Sequence, residues 1–333
     1  MNEPRRWLPG WPTLLLGLLV GAVLPLVAPI YYLHLATEVL ILGLLATSFN
    51  LLFGGTGLLS FGQAAFFATG AYAAAFVLKG VAASMPLALL AGLLSGAVTS
   101  LIVGVLSVRR NEIYFAMLTL AFGQLFAVVF LQAYRITGGA DGIAGVPRPR
   151  LGLAAFGINL APTLNYYLFT LLVVAAVLWT LWRVSRSPLG LTLAAIRENP
   201  SRTAYLGIAT RRYRLVAFTI AGAFSGLAGA LFAPFQGTVV PDFASWVMSA
   251  EPVLMTLLGG PGSFFGPLLG AVFFVALKDT LGSWTEYWPL VLGTIVVLLI
   301  LFLPEGPLGL LDRLSTPGRC EAATRAPNAE ARA

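Results

Sequence analysis

Residues 163–182 read TLNYYLFTLLVVAAVLWTLW, an uncharged run that Arg183 ends. At 1.5 Å per helical residue, such a run covers about 30 Å, the thickness of a bilayer's hydrocarbon core. Comparable runs, bounded by charges or by Gly and Pro, lie at 13–33, 35–53, 60–79, 85–107, 113–134, 214–234, 245–259, 264–280 and 286–303. The 333 residues are 58% hydrophobic and 10% charged, against about 45–50% and about 25% in a soluble domain. Too few polar residues remain to cover a soluble surface. The expected fold is therefore all-α, a polytopic transmembrane helical bundle of about ten spans. The eighth and ninth runs are short and meet at Gly259-Gly260-Pro261-Gly262, so one broken helix, and nine spans, is the alternative.

The basic residues choose between these counts. With ten spans and a cytoplasmic N-terminus, fifteen of the 20 Lys and Arg fall inside, among them Arg5, Arg6, Arg109, Arg110, Arg183 and Arg186. Lys79, Arg135, Arg148, Arg150 and Lys278 fall outside. Basic residues mark cytoplasmic loops, so ten spans with both termini inside is favoured. The net charge of +7 is spread over these short clusters. No continuous basic face exists to follow phosphates, and no nucleic-acid partner is expected.

The predicted organisation is a cytoplasmic N-terminus at 1–12, a membrane domain at 13–303 and a cytoplasmic tail at 304–333. The run 13–33 follows Arg5-Arg6 as a signal peptide would, but it is too long for one and lacks a small-x-small cleavage site. It reads as an uncleaved first helix, kinkable at Pro25 and Pro29. The tail, rich in Ala, Arg, Pro and Glu, is expected to be disordered. It holds the single cysteine, Cys320, which rules out an internal disulfide. A Gly- and Pro-rich segment at 135–162 lies outside, and an arginine-rich one at 183–213 lies inside.

Catalytic motifs are missing. Neither Lys79 nor Lys278 sits in a phosphate-binding loop, so the chain does not hydrolyse ATP by itself. One histidine and one cysteine do not make an ordinary zinc site or a nucleophile pair. Its scattered carboxylates form no acid–base couple. The chain reads as a non-enzyme with no cofactor.

The internal loop carries the sharpest local signal. Asn199 can cap a helix, and Pro200 suits the first helical position, where its missing N–H costs nothing. Two turns would follow through Leu206, and Gly207 suits the left-handed residue that closes them. Such a helix, studded with Arg197, Glu198 and Arg202, reads either as a docking element or as an amphipathic loop helix held at the headgroups.

Polar side chains within or at the ends of spans are candidates for a solute path, because they are costly in hydrocarbon unless they face protein or water. They are Glu38, Asn50, Gln63, Gln124 and Glu251. For Asn50 and Gln124, interhelical hydrogen bonding is the favoured explanation. For Glu38 and Glu251, near external ends, interfacial solvation competes with solute contact. Gly54, Gly55 and Gly57 could unwind backbone to line a cavity or simply let helices pack closely. Their pattern, with Phe61-Gly62 following, echoes Gly259, Gly260 and Gly262 with Phe265-Gly266, as in a transporter built from repeats. Both turns fall on the cytoplasmic side, however, which an inverted repeat does not predict.

Several segments resemble the permeases of branched-chain amino acid (LIV-type) ABC transporters. Asn50-Leu51-Leu52 leads into Gly57-Leu58-Leu59-Ser60-Phe61-Gly62-Gln63-Ala64-Ala65-Phe66-Phe67. Tyr114 through Ala121 (YFAMLTLA) and Thr137 through Gly142 (TGGADG) follow. Then come Ala195-Ile196-Arg197-Glu198-Asn199, Leu206-Gly207-Ile208, Glu251 with Leu257-Leu258-Gly259-Gly260, and Pro304-Glu305-Gly306. No one of these is specific; their order over roughly 35–310 is. The likeness is to the second of the two permease subunits that such systems usually carry.

The resemblance implies an ATP-driven importer in the bacterial inner membrane, with branched-chain amino acids as substrate. It implies a second permease subunit, two ATP-binding cassette ATPases, and a soluble solute-binding protein met outside, where Asp141, Asp242 and Glu251 offer charge. It makes the loop helix, about 189–207, the coupling helix that sits in an ATPase cleft. The chain departs from the family at Arg202-Thr203, where two small residues are usual, and at Gln63, where histidine is frequent. Gln63 keeps a hydrogen-bonding side chain but does not titrate. Importers of urea, short amides or other small organic solutes are the alternatives within the family. An ion-coupled secondary transporter is the alternative outside it.

Overall fold

The computed structural model describes residues 29–81, 84–109, 112–151 and 158–284, with isolated positions before 29 and between 287 and 297. Most of the first predicted span and of the last, the N-terminal Arg5 and Arg6, Arg110, Pro304-Glu305-Gly306 and the tail with Cys320 lie outside them.

Eleven α-helices make up the described chain, in the order α1 Ile30–Thr56, α2 Gln63–Phe76, α3 Met85–Ser107, α4 Glu112–Gln132, the single turn α5 Tyr134–Thr137, α6 Thr163–Arg186, α7 Pro188–Glu198, α8 Pro200–Tyr205, α9 Thr210–Gln236, α10 Trp246–Gly259 and α11 Gly266–Trp284. Two-residue strands β1 Ile143–Ala144 and β4 Thr238–Val239 pair antiparallel, as do β2 Arg150–Leu151 and β3 Ile158–Asn159. Five helices, α1, α3, α4, α6 and α9, are each long and apolar enough to cross a membrane. The protein is an all-α, multi-pass membrane bundle.

Burial separates centre from periphery. The apolar windows of α1 and α9 are 72% and 67% buried, while those of α3 and α4 are 28% and 22% buried and turn their Leu, Val and Ile outward. α9 packs on α2 and α3 through glycine backbones. A Cβ on Gly70 or Gly229 would run into a carbonyl of the facing helix, and one on Gly226 would come within 2.8 Å of the Gly96 Cα. Small residues give this close approach where lipid supplies no hydrophobic drive between helices.

Two stretches of the chain share one plan. α1 and α9 are each 27 residues long, and each ends in a left-handed glycine, Gly57 (φ 78°) and Gly237 (φ 74°). Each is followed by an irregular segment and then by a 14-residue helix, α2 or α10. An arginine from elsewhere donates to carbonyls at each C-terminus: Arg197 to Gly54, and Arg148 to Pro234 and Phe235 at 3.0 and 2.9 Å. The copies run in opposite directions, since α1 ends beside α7 while α9 ends at the β1–β4 ladder. The Gly54 and Gly259 turns are therefore not the related pair. They lie at the same end and touch.

The irregular segments enter the bundle from opposite ends. Residues 57–62 run among α4 and α10, with Leu58, Ser60 and Gly62 buried. Hydroxyls satisfy their donors: Phe61 N–H donates to Thr119 Oγ1 at 3.2 Å and Gly62 N–H to Ser60 Oγ at 3.2 Å. Non-helical backbone at membrane depth is tolerated only where protein or water satisfies it in this way. The α2 and α10 N-termini then meet, with Ala64 N–H donating to Ser249 Oγ at 3.3 Å.

Several predicted boundaries shift. Residues 30–33, assigned to the first span, form the first turn of α1, because Pro29 takes its N-cap position. The run 60–79 becomes helical only at Gln63 and ends in a π-helical turn at Val77–Val81. α6 continues to Arg186, with Arg183 and Arg186 over Trp179 and Trp182. The eighth and ninth runs are two helices, α10 and α11, packed on each other where Gly270 meets the Met255 carbonyl.

Candidate functional site

The internal loop folds as its local chemistry predicts. Asn199 breaks the helix with φ −156° and ψ 99°, and its Oδ1 accepts from Arg202 N–H at 2.9 Å, while Pro200 opens α8. Gly207 closes the turn at φ 82°. Thr203 is buried between the two short helices, its hydroxyl donating to the Ala195 carbonyl at 3.0 Å. A small residue there would lose that bond, which gives this departure from the family pattern a local reason. Glu198, Arg202, Tyr205 and Leu206 are exposed on the outer face, Tyr205 at 91%.

Arg197 turns the other way. Half-buried, it donates to the Gly54 carbonyl at the C-terminus of α1, an end that carries unpaired carbonyls and partial negative charge. Its stem lies 3.6 Å from where a Gly57 Cβ would stand. Three residues of the first Gly-rich turn thus contact the loop, since Gly55 faces the Leu193 side chain. The second turn closes on the same place. Asn50 Nδ2 donates to the Ser263 carbonyl at 3.1 Å, and a Cβ on Gly54 would come within 2.9 Å of the Pro261 carbonyl. Gly259 packs on Gly266, and Gly260 takes φ 89°. A cleft of about 60 Å³ remains between Thr47, Asn50, Gly55, Gly190, Leu193 and Phe264. It has room for a few waters.

The remaining candidates divide. Gln63 is fully buried where α2 and α10 meet, and Ser225 Oγ donates to its Oε1 at 2.7 Å. Gln124 stays half-buried on α4, away from these contacts. Asp141 and Asp242 are exposed at the β1–β4 end, opposite α7. Glu251 is not with them. It lies in the second turn of α10, which starts inside the bundle because residues 237–245 dip inward, and it is 8% exposed. Lys278 Nζ donates to its Oε1 at 3.3 Å. Hydropathy assigned Lys278 to an external end and so missed this pair. Its one available signal was a lysine inside an apolar run.

The arrangement is a long central helix tied at one end to an exposed, capped double helix and packed against α10 and α11, which carry the buried Glu251–Lys278 pair. The profile of the family described as branched-chain amino acid transport system / permease component matches residues 31–303. The chain belongs to this permease family. It is 35% identical over 316 residues to the high-affinity branched-chain amino acid transport system permease protein LivM of Salmonella typhimurium, covering 88% of this chain and 73% of that one. The high-affinity branched-chain amino acid transport system permease protein LivH of Escherichia coli is 29% identical over 126 residues, 37% of this chain and 40% of its own. The autoinducer 2 import system permease protein LsrC of an Enterobacter species is 32% identical over 203 residues, 59% and 54% of the two chains. No solved structure matches.

Proposed function

We propose that this permease carries branched-chain amino acids across a bacterial inner membrane as one subunit of an ATP-driven importer. It pairs with a second, related permease subunit, takes its energy from two separate ATP-binding cassette ATPases and receives solute from an external binding protein. The membrane domain has ten spans with both termini cytoplasmic, which puts α7 and α8 inside and the β1–β4 end outside. The observation that carries the reading is the Asn199-capped double helix, exposed on its outer face and bonded through Arg197 to the end of α1.

In this reading α7 and α8 sit in an ATPase cleft, with Arg197, Glu198, Asn199, Pro200, Arg202, Leu206 and Gly207 as the coupling residues. ATP binding closes the ATPases and moves the double helix; Arg197 passes the motion to Gly54 and α1. The Gly54–Gly57 and Gly259–Gly260 turns, latched by Asn50, form the inner mouth. Hydrolysis resets the bundle. A tenfold bias between the two access states needs about 1.4 kcal/mol of differential ATPase binding.

The reading is tested with Glu198→Ala and Gly207→Val in the complete reconstituted complex. Assembly should persist while ATP hydrolysis no longer drives uptake. Normal uptake by both variants would sink the coupling assignment.

A further inference from the structure

Among the described residues, ionisable side chains in the membrane helices sit mostly at helix ends, as Arg183 and Arg186 do on α6 and Arg211 to Arg214 on α9. One seam departs from this. Where α1, α10 and α11 meet, Glu38, Glu251, Lys278 and Asp279 come together. At its outer end Tyr31 donates to Asp279 at 2.6–2.7 Å. Further in, Lys278 holds one oxygen of Glu251, and Glu38 sits half-buried on α1, which packs against both α10 and α11. The other oxygen of Glu251, Oε2, is buried and has no hydrogen-bond partner among the described residues.

A buried carboxylate oxygen without a donor is costly, and within a membrane bundle an ionisable residue points to function. With both glutamates ionised, this part of the seam carries two negative charges and one positive. An added cation suits this excess of negative charge. A hard metal ion would ask for six or more oxygens. A primary ammonium carries a full positive charge and three donors, and the unpartnered Glu251 oxygen offers it an acceptor. Glu38 is half-buried and Lys278 is 33% exposed, so the seam reaches the surface of the bundle.

We infer that Glu251 and Glu38 receive the primary ammonium group of the transported amino acid inside the bundle. This rests on the importer reading above and adds a binding site to it. The solute would meet the seam from the outer end and replace the missing donor at Oε2.

The test is ATP-driven uptake of radiolabelled leucine by proteoliposomes holding both permeases and the ATPases, at saturating loaded binding protein. Glu251→Gln should lower uptake about tenfold or more, the scale of one lost charge-assisted hydrogen bond. The double variant E251Q/K278M leaves no unmatched charge in the pair and should stay as low. Glu38→Gln, at a half-buried position where misfolding is less of a risk, should fall at least about threefold by the same loss. Uptake by Glu251→Gln within twofold of the unsubstituted complex, or recovery in the double variant, would overturn the inference and make the pair purely structural. Failure of the unsubstituted complex to accumulate leucine would instead bring down the importer reading, and the inference with it.

Discussion

Replacing Arg197 by Met tests whether the coupling segment pulls on the bundle. The methionine keeps an apolar stem beside Gly57 and removes the donor to the Gly54 carbonyl. A hydrogen bond from a charged donor contributes about 1.5–3 kcal/mol, and charge at a helix C-terminus adds about 0.3–1 kcal/mol. Taking about 2 kcal/mol as the link between α7 and α1, its loss changes the linked-to-unlinked ratio about thirtyfold. The assay is solute taken up per ATP hydrolysed, measured on the complete complex in proteoliposomes. Arg197→Met should assemble, keep hydrolysing ATP and deliver at least about twofold less solute per turnover, the fall in linked fraction when that ratio drops from about 30:1 to about 1:1. Arg197→Lys, which keeps the charge, should fall between. A Met variant with unchanged stoichiometry would refute the idea that force passes through this bond.

Three other outcomes follow from named contacts. Gly226→Ala places a Cβ 2.8 Å from the Gly96 Cα; overpacking of this kind costs about 1–3 kcal/mol. Thermal unfolding in detergent should shift down by several degrees, and an unchanged midpoint would contradict the close α3–α9 approach. Asn199→Ala removes the cap bond to Arg202 N–H, a loss of about 1 kcal/mol. Amide exchange over 200–206 should quicken about fivefold with the rest of the bundle unmoved; uniform acceleration would mean that α8 does not open locally. Asn50→Ala removes the bond to the Ser263 carbonyl, about 1 kcal/mol. A cysteine reporter, Ser263→Cys, should then label faster from the α7 end, and an equal rate would show that the two turns are not latched through Asn50.

The parts that were legible in the sequence are those governed by local rules or by solvent. Hydropathy located helices because Gly, Pro and Arg interrupt the apolar runs, and α10 was placed to within a residue. Asn199, Pro200 and Gly207 announced α8 because capping and left-handed backbone depend on single residues. Hydropathy did not separate the non-helical 60–62 from the helix after it, since both are largely buried and carry no charge. Nor did it reveal that 237–245 dips inward, and so it left Glu251 at a surface that it does not occupy. The pairing with Lys278 joins two helices through tertiary packing. The direction of Arg197 was equally hidden: its spacing suggests an outward docking face, whereas the orphan carbonyls of α1 draw it inward. The α1–α2 and α9–α10 likeness lies in helix length and one capping glycine, too little pattern to read in a chain with 36 glycines.

The account stands on ATP driving this membrane bundle through separate subunits. Proteoliposomes containing the two permeases and the ATPases, supplied with loaded binding protein, should accumulate leucine only when ATP is present on the ATPase side. That uptake should persist after ionophores collapse every ion gradient. Accumulation that needs no ATP, or that stops when the gradients collapse, would contradict the account and make the chain an ion-coupled carrier.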